Sequence, residues 1–230
     1  MNWKWVLIVF IILFVGIIIA VISRILYSDI DKKSLEISSV KDFEDLKSGD
    51  LLFVSYINLL GQSIRVLSAS EWSHVSMIYR DVKSPELYVL EIAEYGDRKS
   101  SESYSGVLKI PYEKWLKLNK HHDIYIRKLN NEDYKNKEIQ SKILNEFSKL
   151  QKYKQQKLTD ILELRRMMFF ENYDEKKIQN LEKITCIEFI VMMLQNLELM
   201  EKDAMPSSFY PCDLASNEFL KTYNVMKRIE

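Results

Sequence analysis

The run Ile184-Thr185-Cys186-Ile187-Glu188-Phe189-Ile190-Val191-Met192-Met193-Leu194 carries the sharpest chemical signal in the sequence. Thr185 and Glu188 have capping-box spacing, in which the cap hydroxyl accepts from the third amide of the helix and the glutamate returns to the cap amide. That spacing places Cys186 in the first helical turn, where unpaired N–H groups and the positive end of the helix dipole stabilise a thiolate. A lone cysteine on an apolar helix is more often core, so a nucleophile needs a base to support it. His74 stands at the head of an apolar strand after Trp72-Ser73, and alternation aims it to one face with Ser76 and Ile78. Glu91 is the lone charge in Leu87-Tyr88-Val89-Leu90-Glu91-Ile92-Ala93 and is the candidate for fixing the imidazole tautomer, with Glu94 as second choice. The bland alternative for Glu91 is a carboxylate on an edge strand or solvent face.

Other polar residues offer less. His121 and His122 adjoin Lys117 and Lys120 in a polar connection and read as a solvated loop. Cys186, Cys212 and the histidines show neither C-x-x-C nor H-x-x-x-H spacing, so no metal is expected, and no cofactor. A Cys186 to Cys212 disulfide stays open and would destroy the nucleophile. The charge balance, 33 Lys+Arg against 33 Asp+Glu, gives a net charge of +0 and argues against nucleic acid as a partner. Among 230 residues, five Gly, four Pro and two Cys exclude collagen-like, linker-dominated and disulfide-scaffold architectures.

The elements that must position these residues follow from periodicity. Short β-like runs over 51–56, 74–79, 87–93, 107–110 and 123–128 are punctuated by Gly49-Asp50, Lys83-Ser84-Pro85, Gly96-Asp97 and Gly106, predicting one mainly antiparallel sheet. Residues 61–70 predict a short helix between the first two strands. After Asn130 the sequence becomes charged and helix-favouring, with Ile139, Ile143, Leu144, Phe147 and Leu150 at helical spacing. Helical character is expected to continue through 154–180, where Leu158, Ile161, Leu162, Met167, Met168, Phe169 and Phe170 read as core. The fold class is therefore α+β, an antiparallel sheet packed against helices.

Ahead of this body, residues 5–22 contain no charge, which predicts an N-terminal transmembrane anchor over 1–27 at about 1.5 Å per residue. Lys4, Arg24, Trp3, Trp5 and Tyr27 flank it as interfacial residues do, and Val21-Ile22-Ser23 is a poor signal-peptidase site. Residues 28–44 then read as a juxtamembrane tether and 45–230 as the folded domain. The bilayer is the expected partner through 5–22, the protein is expected to be single-pass, and the positive-inside bias favours a cytoplasmic body.

The order of these pieces resembles the circularly permuted papain-like hydrolases of the NlpC superfamily, in particular the YiiX-like group. The resemblance runs from Leu46 to Leu220. Leu46-Lys47-Ser48-Gly49-Asp50-Leu51-Leu52-Phe53 is similar to the family's Gly-Asp strand entry, and Ser73-His74-Val75-Ser76-Met77-Ile78 to its Ser-His-Val strand. Val89-Leu90-Glu91-Ile92-Ala93 resembles the strand of the third catalytic residue. Thr185-Cys186-Ile187-Glu188-Phe189-Ile190 resembles the start of the catalytic helix, and Pro211-Cys212-Asp213-Leu214-Ala215 a late segment of the family. The reversed order, histidine strand before cysteine helix, is that of the permuted members. Ile187 departs from the family's small polar residue, and 150–183 is longer and more charged than expected, a helical insertion.

The resemblance implies a cysteine hydrolase or acyltransferase with catalytic residues Cys186, His74 and Glu91. Its substrate would be an acyl-bearing peptide, cell-wall component or lipid, cleaved at an amide or ester through a thioester. A different class of function, a catalytically silent membrane-anchored binding or structural protein, predicts no maintained contact between Cys186 and His74.

Overall fold

The computed structural model describes residues 3, 15–16, 36–37, 46–57, 59–68, 70–81, 83–84, 86–96, 103–129, 137–155, 183–215 and 227–229 as an α+β structure. In chain order its strands are β1 Glu36–Ile37, β2 Leu51–Ser55, β3 His74–Arg80, β4 Leu87–Gly96, β5 Ser103–Pro111, β6 Asp123–Arg127, β7 Lys154–Gln155, β8 Lys183–Ile184 and β9 Lys227–Ile229. The helices are α1 Leu59–Ser68, α2 Tyr112–Asn119, α3 Lys137–Leu150, α4 Cys186–Asn196 and α5 Pro211–Ala215. Seven strands form one sheet in the order β1-β9-β6-β2-β3-β4-β5, while β7 and β8 pair separately. Within the large sheet the pairs are antiparallel except β1 with β9.

Alternation along the central strands divides the interior into two layers. Leu51, Phe53, Val75, Met77, Leu90 and Ile92 meet α3 and α4 through Phe147, Phe189, Ile190 and Met193. Leu52, Val54, Ile78, Val89 and Ile110 turn the other way, onto Tyr112 and Trp115 of α2. Every residue of β2 is buried, so it reads as a continuous apolar run rather than an alternating one.

The entry to β2 is stapled by Gly49 and Asp50. Gly49 has φ of 96°, and a Cβ there would lie 2.9 Å from the Leu129 side chain. Its N–H donates to the Ile78 carbonyl at 2.9 Å, and the Ile78 N–H donates to the Asp50 carbonyl at 2.7 Å. The Asp50 carboxylate accepts from the Lys47 and Leu129 amides, both at 2.9 Å. One side chain thus joins the turn before β2 to the chain leaving β6.

The five expected strands correspond to β2 through β6, and the expected helix at 61–70 corresponds to α1, shifted toward its N-terminus. Gly106 lies inside β5 opposite Ala93, not in a turn. Lys154 and Gln155 form a strand where helix was expected. Pairing of β7 with β8 joins Lys154–Gln155 to Lys183–Ile184, and of the expected helical insertion at 150–183 the residues 156–182 lie outside the described residues. Of the tether at 28–44, the pair Glu36–Ile37 is an edge strand of the body.

The membrane expectations are corrected. No helix among the described residues is long and apolar enough to cross a membrane. The physical requirement is a continuous apolar helix of about 20 residues. By comparison, α3 has 14 residues and mixes charge into every turn. The transmembrane anchor, the single-pass placement and the cytoplasmic-side body are therefore not retained. Residues 5–22, on which they rested, lie outside the described residues except Val15 and Gly16.

Candidate active site

Cys186 and His74 are brought together because each is the first residue of its element. Thr185 follows β8 in an extended conformation, φ −85° and ψ 167°, and caps α4 with a complete capping box. Its Oγ1 accepts from the Glu188 N–H at 3.2 Å, and Glu188 Oε2 accepts from the Thr185 N–H at 2.6 Å. Burial pushes the Glu188 carboxyl up, opposed by its bonds to Thr185. Cys186 is therefore fixed in the first turn, half-buried, with an N–H that has no acceptor inside the helix. Both Cys186 and Cys212 are free, so the open disulfide alternative does not form.

His74 is 4% exposed. Its Nε2 lies 2.7 Å from Glu91 Oε2, and Cys186 lies close enough to the imidazole to raise its pKa. With Nε2 engaged by the carboxylate, Nδ1 is the nitrogen left for sulfur. Burial opposes charging of the ring, but Tyr56, Cys186 and Glu91 around it outweigh burial and hold its pKa well above the ordinary histidine range.

Glu91 is neither an edge nor a solvent-face carboxylate. It is wholly buried on the α2 side of β4, and Leu90 and Ile92 on either side of it face α4. Trp115 Nε1 donates to the same Oε2 at 3.1 Å, and the Tyr95 hydroxyl donates to Oε1 at 2.8 Å. Asn119 Nδ2 donates to the Tyr95 oxygen at 3.3 Å and to the Trp115 carbonyl at 2.9 Å. Tyr56 lies with its ring 5.5 Å from the His74 ring. The assembly therefore spans both layers of the fold: sulfur comes from the α4 side, the carboxylate from the α2 side, and His74 joins them at the end of the sheet.

Of the remaining candidates, Glu94 is exposed, and so is His121. His122 is not plainly solvated. It sits edge-on to Tyr56 with ring centroids 4.8 Å apart, and its Nδ1 accepts from the Ile57 N–H at 3.4 Å. Burial, then the neighbouring His121, lowers its pKa. Among the described residues no group of three or more His, Cys, Asp or Glu is arranged to hold a metal ion.

Trp115, Tyr95, Asn119 and Tyr56 were not anticipated from sequence. Trp115 and Asn119 are i and i+4 on α2, a spacing that places them on one helix face but does not say which strand that face covers. The available signal was chemical: a carboxylate between two core residues needs donors, and Trp and Tyr carry a polar tip on an apolar body.

No family model and no curated protein matches the chain. Among solved structures the chain is similar to the metalloprotein YiiX from Escherichia coli O157:H7, at 14% identity and a TM-score of 0.45, over 80% of this chain and 97% of that one.

Proposed function

We propose that the protein is a thiol hydrolase or acyltransferase acting on an amide or ester acyl bond. Cys186 is the nucleophile, His74 the base, and Glu91 the residue that orients the imidazole. The observation that carries this reading is the buried His74–Glu91 contact of 2.7 Å, with Cys186 at a capped helix start beside the same ring. A buried ion pair of this kind is costly to maintain for stability alone, since an apolar replacement often serves as well.

In the reaction His74 takes the Cys186 proton, and the thiolate attacks the acyl carbonyl. The oxyanion formed is held by the Cys186 N–H, which lacks a helical acceptor. Collapse of the tetrahedral species breaks the acyl–N or acyl–O bond, and the imidazolium protonates the departing amine or alcohol. Water, or a second acyl acceptor, then gives its proton to His74 and attacks the thioester, releasing the acyl product and restoring the thiol. Throughout, Glu91 holds the Nε2 proton and compensates the charge on the ring.

Site-resolved alkylation by iodoacetamide at pH 6.5 tests the reading, because an ordinary thiol is almost wholly protonated there. Cys186 is expected to react at least about tenfold faster in the wild type than in His74→Ala, with Cys212→Ser as control. Cys186→Ala is expected to abolish turnover in an acyl-substrate screen and to leave the melting temperature nearly unchanged. Slow alkylation indifferent to His74 would instead identify a structural cysteine on a catalytically silent scaffold.

A further inference from the structure

A carboxylate with no exposed surface keeps its charge and its aim only while its oxygens are held by donors. Glu91 has three, and the proton accounting around it closes. His74 and Trp115 supply Oε2, and the Tyr95 hydroxyl supplies Oε1. The Tyr95 oxygen has then given away its one proton, and it accepts from Asn119. Trp115 is itself fixed, wholly buried and stacked on Tyr112 at 6.3 Å and 14°. Two donors that take no part in proton transfer thus bracket the carboxylate, one on each oxygen.

We propose that Trp115 and Tyr95 are positioning residues that act through Glu91 to set how readily Cys186 gives its proton to His74. This inference rests on the thiol reading above. Without the two donors the Glu91 side chain is free to turn from the imidazole, or, buried with a single donor, favours its neutral protonated form. Either change weakens the charge compensation of the imidazolium and returns the proton to sulfur. The titratable groups facing Glu91 are His74 on β3, Tyr95 on β4, Tyr56 after β2 and, beyond the imidazole, Cys186 on α4. On the β5 side Glu91 is paired with Leu108, which does not titrate.

The experiment is Cys186 alkylation by iodoacetamide across pH in the full chain, for Tyr95→Phe, Trp115→Phe and Glu91→Gln, and for each donor variant combined with Glu91→Gln. Tyr95→Phe is expected to slow alkylation at pH 6.5 about tenfold, the scale of one hydrogen bond to a charged group, and to move the rate profile to higher pH. Trp115→Phe is expected to act in the same direction. In the Glu91→Gln background neither substitution should slow the reaction further, because their effect passes through the carboxylate. A merely structural role would instead lower the melting temperature and slow the reaction by the same factor in both backgrounds. Trp115→Phe opens space in the core and is read beside its melting curve, whereas Tyr95→Phe removes a single oxygen and decides the matter. Wild-type speed in both donor variants, or equal slowing with and without Glu91, overturns the inference alone. A wild type lacking the His74-dependent rate overturns the thiol reading and this inference with it.

Discussion

Asp50 lies where two opposing effects compete, and replacing it by asparagine separates them. Burial raises the cost of its charge, and the amides of Lys47 and Leu129 lower that cost, each at 2.9 Å. Burial is the larger effect, pushing the carboxyl from 3.8 to about 6. At 1.36 kcal/mol per unit, the folded state binds this proton about 3 kcal/mol more tightly than the unfolded chain does. Because the folded pKa is the higher one, the stabilisation is fully present below about pH 3.8 and is lost as the pH rises through about 6. Asparagine offers one acceptor oxygen to two donors, so the variant pays roughly 1 to 3 kcal/mol for the unmatched amide at every pH, and it does not titrate. Urea unfolding at pH 4 and pH 7 measures the result. The destabilisation by Asp50→Asn should be about 2 kcal/mol greater at pH 4 than at pH 7, because at pH 4 the unfolded carboxyl is already partly ionised, and the titrations of other groups cancel in this difference. A cost that is equal at the two pH values, or larger at pH 7, would show that the two amides outweigh burial and would refute the reasoning.

Two further outcomes follow from local geometry. Gly49→Ala forces an L side chain to φ of 96° with its Cβ against Leu129, and is expected to lower stability by about 1 to 3 kcal/mol; an unchanged urea midpoint would contradict the strain argument. Thr185→Ala removes the acceptor for the Glu188 amide and is expected to cost about 1 kcal/mol, while Thr185→Ser retains it. Equal midpoints for the two variants would show that the cap hydroxyl contributes nothing.

The site was legible in sequence where one element settles the matter. The Thr185–Glu188 spacing fixes the start of α4, and with it Cys186, by contacts within four residues. Strand alternation likewise sets Glu91 apart from Leu90 and Ile92. Whether that carboxylate met solvent or donors depended on α2, whose eight residues bury only Tyr112, Trp115 and Asn119 and otherwise carry charge or partly exposed side chains. A short helix with so narrow a buried face has weak periodicity, and its place over β4 comes from packing rather than from propensity. The strands β1 and β9 escaped notice for a related reason: two or three residues show no period, and their pairing joins distant parts of the chain. The Gly49-Asp50 pair was read as a turn, and the structure supplies the reason in the carboxylate that spans to Leu129.

The division of the site between the two layers also bears on the timing of biosynthesis. His74, Glu91, Tyr95, Trp115 and Asn119 all leave the ribosome well ahead of Cys186, and chains elongate at about 5 to 20 residues per second. The carboxylate and its donors are then available to assemble around the imidazole before any sulfur reaches it, while the α4 face of the sheet still waits for its cover. A nascent chain in that interval holds the proposed base without the proposed nucleophile. Cys186 joins only when α4 docks, so the proposed acyl chemistry would become possible together with closure of the second core layer.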